Sequence, residues 1–169
     1  MYAHCTEEQE LWVPLIEKAY AKLFGCYQAL TSGYIDDGLS DMTAKVCEKI
    51  DLHDNSGNWC HDPDVFWNYL LDLKRYYSLM GCSRSSGGTE NSVVIDGEDT
   101  GIISGHAYGI MDVFELDDPS MQNPRKTHRL LRIRNPWGKG EWCQKWSPSS
   151  ATEELEKYRE LISGYISEL

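Results

Sequence analysis

Positive charge is scarce in this chain of 169 residues. Sixteen Lys and Arg stand against 27 Asp and Glu, for a formal net charge of −11. A surface of that sign repels phosphate backbones and suits anionic bilayers poorly, which argues against nucleic acid and membrane surfaces as partners. No run is long and apolar enough to span a bilayer. The first ten residues contain Glu7, Glu8 and Glu10 and lack the apolar core of a signal peptide. The expectation is an intracellular, cytoplasmic protein. Internal repeats and low-complexity segments are absent. Metal-ligand spacing is absent too. His4-Cys5, His53 and Cys60-His61 form no Cys-x-x-Cys or His-x-x-x-His pair, so spacing gives zinc little support. The six cysteines are irregularly spaced, and a chain this long and tryptophan-rich does not need disulfides, so reduced thiols are expected.

What the chain has is enough apolar material for one domain with a real core: 41% of residues are hydrophobic and six are tryptophan. Thr6-Glu7-Glu8-Gln9 reads as a capping box. Leu11, Trp12, Leu15, Ile16, Ala19 and Leu23 then share one helical face, Trp12 and Tyr20 read as core, and Gly25 is a stop. Residues 34–39 and 51–62 are rich in Asp, Asn, Gly and Ser and read as loops. Asp62-Pro63 opens a second helix, with Phe66, Trp67, Leu70, Leu71, Lys74 and Tyr77 at helical spacing and Gly81 as its end. Residues 83–90 and 96–100 read as flexible connections around a short strand, 93–95. Ser147-Pro148-Ser149-Ser150 is a break, after which residues 152–169 return to helical spacing.

Two strand-like runs carry the chemistry. The first covers residues 102–116 with His106 near its start; the second covers residues 128–134 and is ended by Asn135. A polar stretch with two prolines, residues 117–126, separates them. If the runs pair as an antiparallel hairpin, His106 falls opposite residues 135–137, which sets an imidazole beside a carboxamide with the indole of Trp137 next to it. A cysteine protease needs such a pair: the amide carbonyl fixes the ring, and the ring accepts the thiol proton. Imidazole suits the task because its ordinary pKa is about 6.5.

The segments Gly105-His106-Ala107-Tyr108 and Ile133-Arg134-Asn135-Pro136-Trp137-Gly138 resemble the histidine and asparagine motifs of the calpain family. Residues 10–23 resemble the helix that opens the second subdomain of the calpain core. Gly25-Cys26-Tyr27-Gln28-Ala29-Leu30, Gly38-Leu39-Ser40-Asp41-Met42-Thr43, Gly138-Lys139-Gly140-Glu141-Trp142 and Lys145-Trp146-Ser147 follow in the family's order. The resemblance covers residues 5–150, and residues 151–169 diverge. It implies that His106 and Asn135 are catalytic, that Trp137 shields the dyad, and that residues 83–100 line a mobile wall of the substrate cleft. Glu141 sits where the calpain core carries a calcium-ligating carboxylate, and calcium would serve the parent enzyme. The next acidic partner of that pattern is Pro148 here, so weak or no calcium binding is expected of this chain.

The family's nucleophile lies in a Gly-Asp-Cys-Trp type segment of its first subdomain. None of Cys5, Cys26, Cys47, Cys60, Cys82 or Cys143 is preceded by Gly-Asp or followed by Trp. The reading is therefore an α+β, papain-like cysteine protease fold in its sheet-rich half, with a twisted antiparallel sheet and flanking helices, as a single domain over residues 1–169. Its function is that of part of a calpain-like endopeptidase acting on protein substrates, inactive alone and partnered by a first subdomain that brings the cysteine. The alternative is a catalytically inactive, protein-binding module.

Overall fold

A computed structural model of the chain describes residues 3–5, 7, 9–85, 89–117, 127–144 and 146–147. The chain divides into two compact units, residues 1–50 and 51–169.

The first unit is helical. α1 spans Trp12–Leu23 and α2 spans Ile35–Thr43, with a single 3-10 turn at Tyr27–Leu30 between them. α1 starts later than the capping-box reading expects. Leu11 precedes it without a side-chain cap, and Thr6 and Glu8 lie outside the described residues. The apolar face of α1 is largely open: Trp12 is 60% exposed and Leu15 61%, while Ala21 is buried. Trp12 is thus not a core residue. Its indole N–H reaches the Glu10 carboxylate at 3.1 Å. A unit of this size has too little interior to enclose every large side chain it carries. α2 corrects the loop reading of residues 34–39. Asp36 and Asp37 sit in its first turn, where carboxylates complement the helix dipole, and it ends at Ala44 in the left-handed region.

The second unit holds α3, Pro63–Arg75, and the five strands found among the described residues. Asp62 caps α3 through Oδ1, which accepts the N–H groups of Asp64 at 3.0 Å and Val65 at 2.9 Å, with proline in the first turn. The helix ends at Arg75, six residues before the expected stop at Gly81. Tyr77 takes a positive φ of 54°, which breaks the helical path, and the chain enters β1, Met80–Ser83. The other strands are β2 (Asn91–Ile95), β3 (Glu98–Ser104), β4 (Ala107–Asp117) and β5 (Thr127–Arg134).

The fold is α+β, consistent with the papain-like cysteine protease fold. The described strands form two sheets where one was expected: an antiparallel β1-β4-β5 sheet and a β2-β3 hairpin. The acidic stretch 96–100 is a turn and the start of β3, not a flexible connection. β4 and β5 pair from Asp117↔Thr127 to Gly109↔Arg134, with a bulge between Ile110 and Asp112. The extra residue reverses the alternation of faces. Ile110 and Val113, three apart, therefore join one core with Trp67 and Leu70 of α3, while Phe114 and Leu116 join Leu130 and Trp146 in another. Lys74 ties α3 to β4 by an ion pair with the buried Asp112 at 2.6 Å and a bond to the Val113 carbonyl at 2.9 Å. Trp67 donates its indole N–H to Glu115 at 2.6 Å. Among the described residues no helix is long and apolar enough to cross a membrane.

Candidate functional site

The site lies where β3 turns into β4. The continuous run expected over residues 102–116 is broken there: Gly105, at φ +75°, turns the chain between the two sheets, and its N–H donates to the Arg84 carbonyl at 2.6 Å. A left-handed φ of this kind costs glycine little and other residues more. The break puts His106 at the corner, 6% exposed, immediately ahead of β4. Across the sheet, β5 ends at Arg134 opposite Gly109, which carries residues 135–137 past the imidazole.

His106 Nε2 lies 2.8 Å from Asn135 Oδ1. The orientation of the amide follows from its other partners. Asn135 Nδ2 donates to the Lys139 carbonyl at 2.8 Å, and Oδ1 accepts the Trp137 N–H at 3.0 Å. The atom facing the ring is thus an acceptor, so Nε2 carries a hydrogen. In the neutral ring the lone pair is then on Nδ1, and Nδ1 is the nitrogen able to take a proton. Trp137 lies against the ring, with centroids 4.2 Å apart, and is itself 47% exposed.

Two residues that the sequence did not single out also bear on the ring. Tyr108 meets it edge-on at 4.9 Å, and the Tyr108 hydroxyl accepts the Ile103 N–H at 2.9 Å, bracing the corner from β4 back to β3. Glu90 Oε1 lies 3.6 Å from His106 Nδ1, with half of its side chain exposed. The only sequence signal for Glu90 was its place in the polar stretch ahead of β2, which the family resemblance assigns to the cleft wall.

The six cysteines are free. Strand register sets Cys82 opposite Tyr108, two residues from His106 in the chain. Burial raises the pKa of the Cys82 thiol, which disfavours the thiolate that attacks a carbonyl.

Glu141 lies two residues beyond Lys139, whose carbonyl holds the Asn135 amide. Its backbone carbonyl accepts from the Cys143 thiol at 3.1 Å, and its neighbours run beside β3 through the bond from Cys143 N–H to the Thr100 carbonyl at 3.0 Å. Among the described residues no group of three or more His, Cys, Asp or Glu is placed to hold a metal ion. Calcium takes six to eight oxygens. A single carboxylate supplies at most two of them. Pro148 and the tail 151–169 lie outside the described residues.

Comparison with known proteins agrees with the fold and the motifs. The family model described as "Calpain family cysteine protease" matches residues 1–161. The chain is 37% identical over 150 residues to the calpain-type cysteine protease DEK1 of Zea mays, covering 88% of this chain and 6% of that protein. It is 38% identical over 151 residues to Calpain-A of Drosophila melanogaster, covering 89% and 17%. It is 31% identical over 147 residues to the Calpain-2 catalytic subunit of Mus musculus, covering 87% and 19%. The chain thus spans less than a fifth of the length of each of these relatives. A family match over nearly the whole sequence identifies the chain as a member of the calpain family of cysteine proteases.

Proposed function

We propose that this chain is the histidine- and asparagine-bearing subdomain of a calpain-type cysteine endopeptidase, and that a first subdomain outside it supplies the nucleophile. The observation that carries the reading is the contact of His106 Nε2 with Asn135 Oδ1 at 2.8 Å, with the amide held in place by Lys139 and Trp137.

In this reading a cysteine thiol docks at Nδ1. Its proton moves to Nδ1, leaving a thiolate and an imidazolium whose Nε2–H stays on the asparagine. The thiolate attacks the peptide carbonyl, and the Nδ1 proton then passes to the leaving amine. Trp137 keeps water off the exposed side of the Nε2–Oδ1 bond. Asn135 orients without carrying charge, so its part is geometric. The chain alone is inactive in this reading; burial that disfavours the thiolate of Cys82, set opposite Tyr108 in the sheet, supports it. The substrates are proteins. The parent enzyme is cytoplasmic, a compartment that suits six free cysteines, and any calcium dependence is that of the parent enzyme.

The test joins the chain to a first subdomain with a Gly-Asp-Cys-Trp segment and follows cleavage of an unstructured protein. Cleavage that His106→Ala abolishes is expected. Equal cleavage by the unaltered and His106→Ala proteins would overturn the assignment. Absence of cleavage in a well-folded joined protein would favour the protein-binding module.

A further inference from the structure

The two sides of the His106 ring are held by groups of different kinds. On the Nε2 side stands a neutral amide. It fixes the ring but adds no negative charge to offset the positive charge the ring gains when it takes a proton. On the Nδ1 side stands a carboxylate: Glu90 Oε1, 3.6 Å away. Glu90 lies outside the histidine and asparagine motifs and plays no part in the mechanism above.

The distance says what kind of contact this is. At 3.6 Å it is longer than a hydrogen bond but within reach of an ion pair. A neutral ring with a bare Nδ1 gains nothing from that carboxylate. A doubly protonated ring gains an opposite charge beside its new N–H. The contact therefore discriminates between the two states of the base, and Asn135 does not.

We propose that Glu90 is a second positioning residue of the dyad, a carboxylate that favours the imidazolium form of His106 and so supplies the anionic partner that Asn135 lacks. The inference rests on the reading of His106 as the base. When the thiol proton moves to Nδ1, the positive charge the ring gains lies within ion-pair reach of the Glu90 carboxylate.

The other groups at the ring do not compete for this role. Tyr108 meets it edge-on with its hydroxyl turned to the Ile103 N–H, and Trp137 and Asn135 carry no charge. Arg84 after β1, Arg134 at the end of β5 and Lys139 beyond it are cations, which would oppose rather than favour a positive ring. Glu90 is half exposed, so solvent screens the effect and keeps it modest.

The experiment uses this chain as it stands, labelled with nitrogen-15, and reads the ring nitrogens of His106 by nuclear magnetic resonance as pH is varied. The ratio of doubly to singly protonated His106 at about pH 6.5 is expected to fall about threefold in Glu90→Gln. Glu90→Asp should restore part of it. The Nε2–H signature of the contact with Asn135 should persist in all three proteins and reports that the site is folded. An unchanged ratio in Glu90→Gln with that signature intact would overturn this inference alone. Absence of the Nε2–H signature in the unaltered chain would overturn the dyad reading and this inference with it.

Discussion

The two walls that meet at His106 are built differently. The wall after β5 is braced by several bonds: Asn135 is bonded to the ring, to the Lys139 carbonyl and to the Trp137 N–H, and the segment beyond is bonded to β3. The wall before β2 offers one carboxylate, half exposed, at 3.6 Å. The difference suits the proposed reaction. With His106 as the base, the Nε2 side would hold still through the reaction, and the Nδ1 side would receive a thiol and a substrate.

The sharpest way to break this comparison is to remove the ring the walls share. In the joined enzyme, His106→Ala should lower kcat by about 10³-fold or more, since a positioned base contributes on that order. Peptide cleavage assays check it.

Gly101→Ala attacks the braced wall from behind. A Cβ there would lie 1.8 Å from the Glu141 carbonyl oxygen, and Gly101 has φ +77°. The bulky backbone neighbour cannot step aside without freeing residues 141–144 from β3. A loss of about 3 kcal/mol is expected, from overpacking and from the left-handed backbone together. Chemical denaturation measures it. A Gly101→Ala protein as stable as the parent would show that the wall after β5 is looser than its bonds suggest.

Asn135→Ala tests orientation alone. It should reduce kcat by about tenfold to a hundredfold, less than His106→Ala, because the base survives but wanders. Loss equal to that of His106→Ala would mean that the amide does more than orient.

The smallest effect concerns Cys82. Burial raises its thiol pKa in the folded state. The fold therefore favours the neutral thiol, and the stability this contributes is present below the ordinary thiol range and lost as pH rises through the raised value. In the native chain, alkylation of Cys82 should be slower than that of the exposed Cys26 and Cys60 at each mildly alkaline pH, as mass spectrometry of labelled peptides would show. Faster labelling of Cys82 would return it to consideration as a nucleophile.

Features set by long-range pattern were the legible ones. Pairing the two runs as a hairpin placed His106 near residues 135–137 from sequence alone, because register in a hairpin follows from two runs and the residues between them. The cap of α3 was equally readable, since Asp62-Pro63 carries its own mechanism. Misread elements were those in which local signals point two ways. Asp36, Asp37 and Gly38 look like a loop, yet two carboxylates at a helix N-terminus stabilise it, and α2 forms. Helical spacing after Arg75 continued on paper to Gly81, while the chain leaves the helix through Tyr77 at φ 54°. One apolar run over residues 102–116 hid a corner at Gly105, whose bond to the Arg84 carbonyl joins residues far apart in sequence. Glu90 was invisible for a related reason: nothing in residues 83–90 announces that one carboxylate among them will face an imidazole sixteen positions on.

The central claim is that His106, fixed through Nε2 by Asn135, takes the proton of a thiol at Nδ1. The most direct measurement is the rate at which iodoacetamide alkylates the nucleophilic cysteine of the joined enzyme near neutral pH, because only the thiolate reacts. The account predicts rapid alkylation that slows about a hundredfold in His106→Ala. Equal rates in the two proteins would contradict it.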